Sequence, residues 1–497
     1  MELLLHGLEN AVTIDNLLFC FLGCLAGTLV GVLPGLGPSS TLAILLPITA
    51  YFDPTKSIIM MSGICYGAMY GGSTISILVN IPGEAASVVT CLDGFQMTKK
   101  GRAGEALWIA AIGSFIAGTV GVTGLALIGP ELAKYALRFG PAEYFGLVLL
   151  SLSLLISFSG TSMTKGLIAG LLGLFLSCIG MDPLTGTRRL AFGTIALTRG
   201  IELVPVAIGL FGIGEVIFNS GKVMASIYEG KLGKMMPKWS EMKKGLKASI
   251  RATLFGFPAG LLPGMNTALV AFMSYDIEKR FSKTPSLFGT GVIEGVAAPE
   301  AANNAAAQGG FVPLLALGIP TAPSMAILLG ALMIYGLQPG PQLFQQNTTL
   351  VWTVIASMYV GNVMLLILNL PLIGLWARIS LIPYKYLAPF ILVICFLGAY
   401  SPRNTIFDVW VALGFGVLGC YMRLKHWPIS PMILGFILGP MLEKSFRQAY
   451  AMGGLKIFVT EPIAAFFIAL TVIAIVILVI TLKRVPKVKA ILEDEEL

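Results

Sequence analysis

The 497-residue chain is 56% hydrophobic and 12% charged, with a formal net charge of +8. Soluble domains carry about 25% charged residues, so this composition excludes a water-soluble protein and predicts one that crosses a membrane. The seven cysteines and two histidines are scattered, and no P-loop or dinucleotide-binding motif is present. We therefore expect no metal centre, no cofactor, no catalytic residues and no enzymatic activity.

Apolar stretches long enough to cross a bilayer occur along the whole chain. The clearest, Ile463 to Leu482, has twenty residues without a charge, and about 20 residues span a hydrocarbon core of about 30 Å. Shorter stretches run from Phe145 to Gly160 and from Leu203 to Phe218. We predict an all-α polytopic membrane protein with about 10–12 transmembrane helices plus two re-entrant or broken-helix hairpins.

The charge pattern predicts how the chain is oriented. Eight Lys and Arg residues lie between Lys222 and Arg251, whereas the first fifteen residues contain acids and no Lys or Arg. Basic residues beside apolar spans mark cytoplasmic loops rather than nucleic-acid sites. We expect the 222–251 segment to be cytoplasmic, the N-terminus to face outward, and no nucleic-acid partner.

Two motifs recur in the same order. GVLPGLG at 31–37 is echoed by GLLPGMN at 260–266, an offset of 229 (263 minus 34). Gly71-Gly72, ten residues before Pro82, is matched by Gly309-Gly310 before Pro320, an offset of 238 (320 minus 82). The recurrence predicts an internal duplication. Because the two copies start at opposite predicted faces, it also predicts an inverted repeat, the plan of many secondary transporters.

The duplication sets the predicted domain boundaries. Residues 1–223 form the first membrane repeat, and 224–248 form a basic cytoplasmic linker. Residues 249–497 form the second membrane repeat, with extra C-terminal helices and a short charged tail.

Proline breaks in apolar stretches predict the substrate site. Proline lacks a backbone donor and glycine permits sharp turns, and backbone groups freed in a membrane are tolerated only beside protein or a watery cavity. Gly23, Gly27 and Gly31 are assigned to helix packing instead, the alternative role of small residues in membranes. The predicted substrate-binding residues at the breaks are Pro34, Gly35, Ser39, Ser40, Gly72, Ser73, Asn80, Pro82, Gly83, Glu84, Gly264, Asn266, Thr267, Gly318, Pro320, Thr321 and Ser324.

A polar stretch in the second half predicts an ion-coupling site. Glu294, Glu300, Asn303 and Asn304 interrupt an apolar, alanine-rich segment, and on a helix the last three share a face. Intramembrane acids are costly and serve ions, protons or substrates. The alternative is a solvated surface loop. Asp93 is a weaker candidate, expected to cap or anchor a turn at Asp93-Gly94.

These motifs resemble a known family. GGSTISILVNIPGE at 71–84, TCLDGF at 90–95 and GVAAPEAANN at 295–304 are similar to the large membrane subunit of the tripartite tricarboxylate transporter family. The similarity covers nearly the whole chain and is strongest at 27–107 and 256–345. One departure is Thr321, where the family pattern has glycine after Ile-Pro.

The resemblance implies a function and partners. A member of this family is a multi-pass protein of the bacterial cytoplasmic (inner) membrane that imports small di- or tricarboxylate-like anions by symport with sodium or protons. It works with a periplasmic solute-binding protein and a small membrane subunit of about four helices. The sequence leaves open which carboxylate is carried and which of the two cations drives it.

Substrate binding is expected to rely on backbone groups. No Arg or Lys lies within 67–98 or 290–343, so a carboxylate there must meet hydroxyls and the unpaired N–H groups of half-helix N-termini. The alternatives are an anion-selective channel, a carboxylate exporter without a binding protein, and an intramembrane enzyme. A channel needs a continuous polar pore and a hydrolase needs a nucleophile–base pair, and the sequence favours neither.

Overall fold

The computed structural model describes residues 2–33, 37–49, 51–157, 162–182, 184–220, 233–379 and 384–484. Pro34 and Gly35 of the predicted substrate site lie outside these residues. The described part is almost entirely helical, with one short hairpin of β1 (Gly180–Met181) and β2 (Arg188–Arg189). The predicted all-α class is therefore confirmed.

The helices in chain order are α1 (Glu2–Ala11), α2 (Ile14–Val32), α3 (Pro38–Thr49), α4 (Pro54–Val79), α5 (Val88–Lys99), α6 (Ala103–Ala136), α7 (Pro141–Ser157), α8 (Met163–Ser177), α9 (Ile195–Thr198), α10 (Leu203–Ala207), α11 (Gly214–Asn219), α12 (Trp239–Gly260), α13 (Thr267–Phe281), α14 (Glu294–Leu317), α15 (Pro323–Ile334), α16 (Pro341–Gln346), α17 (Thr348–Asn369), α18 (Ile373–Ile379), α19 (Tyr384–Tyr400), α20 (Ile406–Leu424), α21 (Ile429–Gly453), α22 (Ile457–Thr460) and α23 (Pro462–Arg484). Short 3₁₀ turns cover Ala85–Ser87, Pro285–Leu287 and Gly454–Lys456, and a π-helical turn covers Ile208–Ile213.

Several helices suit a membrane environment. Within the described ranges, α2, α6, α17 and α20 are long and apolar enough to cross a bilayer, and α21 to α23 form a fifth candidate span bent by 66°. Shorter apolar helices, such as α3 and α15, are too short to cross alone and suit broken spans or re-entrant hairpins. The chain is a multi-pass membrane protein, and the total number of crossings stays a prediction.

Two compact units make up the structure. The first contains Met1–Leu137 and Glu202–Tyr421, and the second contains Arg138–Ile201 and Met422–Leu497. Within the second unit, Arg447 Nη1 pairs with Asp182 Oδ2 at 2.7 Å, and this guanidinium holds the pKa of the Asp182 carboxyl well below its usual range.

The predicted repeat boundaries at 223 and 249 stay predictions. Residues 224–232 lie outside the described residues, and α12 already begins at Trp239.

Close glycine contacts show that the two halves repeat the same helix pair. A β-carbon added at Gly31 of α2 would lie 2.3 Å from the Ala68 carbonyl oxygen of α4, so the two backbones pack almost directly. The equivalent residues behave in the same way, since a β-carbon added at Gly260 of α12 would lie 2.2 Å from the Ala306 carbonyl oxygen of α14. These pairs are related by the sequence offsets of 229 (260 minus 31) and 238 (306 minus 68). Small residues that let membrane helices approach closely produce this packing.

The two halves start at opposite faces of the first unit. Asp15 and Lys56 pair at 2.6 Å, which places the starts of α2 and α4 together. At the other end of α4, the Thr98 hydroxyl of α5 donates to the Ile77 carbonyl oxygen at 2.7 Å. Just beyond α5, Arg102 pairs with Glu241, near the start of α12, at 2.6 Å. The second repeat therefore begins where the first pair of helices ends, which is the geometry that an inverted repeat predicts.

Candidate functional site

Both Ile-Pro motifs follow the end of a long helix. Asn80 ends α4 in the left-handed region at φ 60°, and Gly318 ends α14 at φ 71°. The two residues are equivalent by the 238 offset (318 minus 80). Beyond each of them the chain passes through its proline and starts a shorter helical segment, α5 or α15. The breaks predicted at Pro82 and Pro320 are thus present as the same local structure in both repeats.

The first break is packed so closely that only glycine fits. A β-carbon at Gly83 would lie 2.2 Å from the Gly31 carbonyl oxygen and 2.6 Å from the Gly72 α-carbon. The second break has Thr321 at the equivalent position. Its carbonyl oxygen accepts a hydrogen bond from the Gly264 N–H at 3.2 Å.

The side chain of Thr321 occupies space left by another glycine. A β-carbon added at Gly310 would lie 2.6 Å from the Thr321 hydroxyl oxygen, so position 310 also excludes a side chain. The departure from the expected glycine is therefore accommodated, and it adds a hydroxyl at the second break.

A buried set of polar side chains joins the two repeats. The hydroxyls of Ser73 and Thr90 each donate to one carboxylate oxygen of Glu300. One turn further along α14, Asn303 Nδ2 donates to Glu84 Oε1 at 3.0 Å. Asn304 Nδ2 donates to the Ser114 hydroxyl oxygen at 2.9 Å. We call these seven residues the carboxylate cluster: Ser73, Glu84, Thr90, Ser114, Glu300, Asn303 and Asn304.

The carboxylate cluster is buried and has no basic partner. Glu300 is 1% exposed and Glu84 is 9% exposed. Within the described ranges, neither carboxylate forms an ion pair with Lys or Arg. Burying a carboxylate without a balancing charge is very costly. The buried Asn303 Oδ1 has no hydrogen-bond partner, and carboxylate and amide oxygens are ligands that hard cations accept.

The structure brings some of the predicted site residues together and separates others. Ser73 and Glu84, predicted to bind substrate, contact the predicted ion-coupling residues Glu300 and Asn303. Glu294 does not join them. It is the first residue of α14, six residues before Glu300 and about 9 Å away along a helix. The solvated-loop alternative for Glu300, Asn303 and Asn304 is wrong, because all three are buried on one helix.

The remaining predicted residues lie at helix starts. Asn266 caps α13 by accepting the Leu269 N–H at 2.8 Å, as expected of a residue after a break. Thr267 is the first residue of α13, and the buried Ser324 is the second residue of α15. Ser39 and Ser40 lie in the first turn of α3. The substrate-binding role of these residues stays a prediction.

Asp93 has a different position from the one expected. It lies within α5 and is fully buried, so the predicted turn at Asp93-Gly94 is wrong. Its carboxylate accepts backbone N–H bonds from Gly289 at 3.0 Å, Gly291 at 2.7 Å and Val292 at 2.9 Å, and the Tyr275 hydroxyl at 2.8 Å. Asp93 therefore ties α5 of the first repeat to the loop before α14 of the second.

Two members of the carboxylate cluster were not predicted. Thr90 belongs to the TCLDGF motif, and that motif was the one available sign of its importance. Ser114 lies in the middle of the apolar helix α6. A serine in such a helix carries no distinguishing sequence signal.

A cavity of about 560 Å³ lies near the C-terminal ends of α3 and α15. Its wall includes Arg403, which pairs with Glu202, and Tyr51, whose hydroxyl hydrogen-bonds that of Ser401 at 2.6 Å. This volume is within the range of small-molecule sites. The cavity is mostly apolar, with these polar groups on its wall.

Comparison with known proteins gives a matching family model and two similar proteins. The family model of the tripartite tricarboxylate transporter TctA family matches residues 17–434. The uncharacterized 52.8 kDa protein in the TAR-I ttuC' 3' region of Agrobacterium vitis is 46% identical over 494 residues, covering 98% of both chains. The uncharacterized protein in the TAR-II ttuC' 3' region of the same organism is 44% identical over 238 residues, 48% of this chain and 98% of the relative. No solved structure matches significantly.

Proposed function

The chain belongs to the TctA family of tripartite tricarboxylate transporters, and we propose that it is the large membrane subunit of a binding-protein-dependent importer of small carboxylates. A sodium or proton gradient drives the uptake. A periplasmic solute-binding protein delivers the substrate, and a small membrane subunit accompanies this chain in the bacterial inner membrane. The tripartite family supports these partners.

The observation that carries the proposal is the position of the carboxylate cluster. Ser73, Glu84, Thr90 and Ser114 come from the first repeat, and Glu300, Asn303 and Asn304 come from the second. In transporters built from inverted repeats, one repeat or bundle moves against the other around a fixed site. A cation or proton bound by Glu84 and Glu300 changes the charge of the contacts that join the two repeats. This is the arrangement that cation coupling requires.

The substrate is proposed to bind at the two broken segments. Anion binding there draws on backbone N–H groups of the half-helices α5 and α15, whose N-terminal ends carry about half a positive charge. The hydroxyls of Thr321 and Ser324 lie at the start of α15, where they can add hydrogen bonds. A cation held at the nearby Glu84 and Glu300 offsets the repulsion between these carboxylates and the substrate.

Variants at the two breaks should test substrate binding without disturbing the fold. Gly83→Leu places a side chain against the Gly31 and Gly72 backbones, so it tests packing as much as binding. Pro82→Ala, Pro320→Ala and Ser324→Ala are more specific tests of substrate affinity. Thr321→Gly restores the family pattern and removes one hydroxyl from the second break.

Counterflow in proteoliposomes tests the proposal. The chain is reconstituted with the small subunit, the binding protein is added, and labelled mono-, di- and tricarboxylates are compared. Sodium gradients at fixed pH and pH gradients at fixed sodium are then imposed separately. We expect saturable exchange of at least one carboxylate class and accumulation under one of the two gradients. Non-saturable flux independent of both gradients would instead identify a channel, and uptake independent of the binding protein would contradict the tripartite mechanism.

A further inference from the structure

A small, partly open cavity lies beside the carboxylate cluster. Its volume is about 20 Å³, and it lies between α4, α6, the C-terminal end of α17 and the start of α18. Roughly 10–15 Å³ is enough to hold one water-sized particle. The polar residues on its wall are Tyr70, Ser73, Thr74, Ser114 and Asn369, and all five are buried.

Asn369 contributes an oxygen without a partner. Its Nδ2 group donates to the Leu365 carbonyl oxygen at 2.9 Å. Only the amide nitrogen can donate to a carbonyl, so this bond fixes the orientation of the amide and turns Oδ1 away from Leu365. That Oδ1 atom is buried and has no hydrogen-bond partner. A buried acceptor of this kind is costly unless a donor or a cation satisfies it.

We propose that this cavity is a binding site for a sodium ion, with Asn369 Oδ1 as its anchoring ligand. The hydroxyl oxygens of Ser73, Thr74 and Ser114 complete the oxygen shell. Hard cations take hydroxyl and amide oxygens as ligands. No Asp or Glu lines the cavity, and divalent ions are usually held by carboxylates, so the neutral shell favours a singly charged ion.

The site is linked directly to the carboxylate cluster. Ser73 lines the cavity and also donates to Glu300. Ser114 lines the cavity and also accepts from Asn304 at 2.9 Å. A sodium ion here attracts the oxygen of each hydroxyl, so its arrival changes both contacts between the repeats. This inference rests on the proposed function for its role in transport, and it names sodium as a coupling ion.

Binding can be measured without transport. The Trp376 indole donates to the Leu368 carbonyl oxygen at 2.8 Å, one residue before Asn369, so its fluorescence reports on this end of α17. In the purified full chain, sodium chloride is titrated against choline chloride at constant ionic strength. We expect a saturable sodium-dependent change that Trp376→Phe removes. No such change in the wild type means that the cavity holds water only, and the inference falls.

Variants at Asn369 test the ligand assignment. Asn369→Leu keeps a similar side-chain size and removes the amide oxygen. The half-saturating sodium concentration of this variant should rise at least about tenfold, the scale on which altered metal sites lose affinity. Asn369→Asp adds a negative charge and should lower the half-saturating sodium concentration. Asn347→Leu is the matched control, because Asn347 lies at the other end of α17 and its side chain makes no capping bond. If Asn369→Leu fails to fold, a wild-type titration curve for Asn369→Asp overturns the assignment.

Transport measurements separate this inference from the proposed function. Sodium-driven carboxylate uptake with an unchanged sodium dependence in Asn369→Leu refutes the site and leaves the function standing. If the Asn369 variants shift sodium binding but the wild-type protein moves no carboxylate, the sodium site is supported and the proposed function is refuted.

Discussion

Asn303 of the second repeat donates its amide N–H to Glu84 of the first repeat over 3.0 Å, although 219 residues separate them. Glu84 follows the first Ile-Pro break by two residues, so this bond connects the break of one repeat to the long helix of the other. Any motion of the two repeats against each other must act on this contact. The carboxylate cluster is therefore placed where cation binding and repeat motion meet.

The neighbouring Asn304 supplies the first prediction. Its Nδ2 group donates to the Ser114 hydroxyl at 2.9 Å and to the Glu300 carbonyl oxygen at 3.1 Å. Asn304→Ala should weaken cation-driven uptake by about tenfold while the protein stays in the membrane, because it removes a polar contact of the cluster. Uptake against cation concentration in vesicles measures this, with Asn347→Ala as the control. Wild-type uptake and cation dependence in Asn304→Ala would refute the assignment.

The repeated glycine contact leads to a prediction about stability. Gly31→Ala and Gly260→Ala each insert a methyl group about 2 Å from a carbonyl oxygen of the facing helix, and overpacking of this kind costs about 1–3 kcal/mol. Both variants should lower the thermal unfolding temperature in detergent. Gly414→Ala in α20 is the control, because its β-carbon meets open space and alanine favours helix. Equal unfolding temperatures for all three would contradict the packing.

Removing the charge of Asp93 tests the connection between α5 and the loop before α14. Asp93→Asn replaces one carboxylate oxygen with a donor that faces other donors, and an unsatisfied buried group costs about 1–3 kcal/mol. Tyr275→Phe removes only the hydroxyl bond of 2.8 Å and should cost less. Thermal unfolding in detergent compares the two variants. A larger loss of stability in Tyr275→Phe than in Asp93→Asn would show that the backbone bonds to Asp93 are not the main contribution.

Cysteine labelling tests the orientation of the inverted repeat. On a cysteine-free background, an impermeant reagent applied to intact cells should label Glu9→Cys, at the exposed N-terminal helix, and leave Lys238→Cys unlabelled until the cells are opened. Lys238 immediately precedes α12, which begins beside Arg102 at the predicted cytoplasmic face. Labelling of Lys238→Cys from outside would overturn the predicted orientation.

Local signals predicted much of this structure. Proline and glycine act on their own stretch of backbone, so the breaks after Asn80 and Gly318 were visible in the sequence. Two motifs that recur in the same order predicted the duplication. The helical face of Glu300, Asn303 and Asn304 followed from their spacing.

Partners across the two repeats could not be predicted. Ser73 and Glu300 are 227 residues apart, and their contact depends on how α4 and α14 approach each other in three dimensions. The same holds for Asp93, whose backbone donors become available only when the 289–292 loop takes its shape. Serine and threonine are ordinary in apolar helices, so Ser114 and Thr90 gained a role only from the packing around them.

The most direct test of cation coupling through the carboxylate cluster uses Glu300→Gln. Glutamine keeps the shape of the side chain and removes its charge, and Glu131→Gln, at an exposed surface ion pair, is the control. Labelled carboxylate is followed in proteoliposomes with both partner proteins present, first as exchange at equal cation concentrations and then under an imposed gradient. We predict that Glu300→Gln still exchanges substrate but fails to accumulate it, whereas Glu131→Gln does both. Accumulation by Glu300→Gln to the wild-type level would contradict the account.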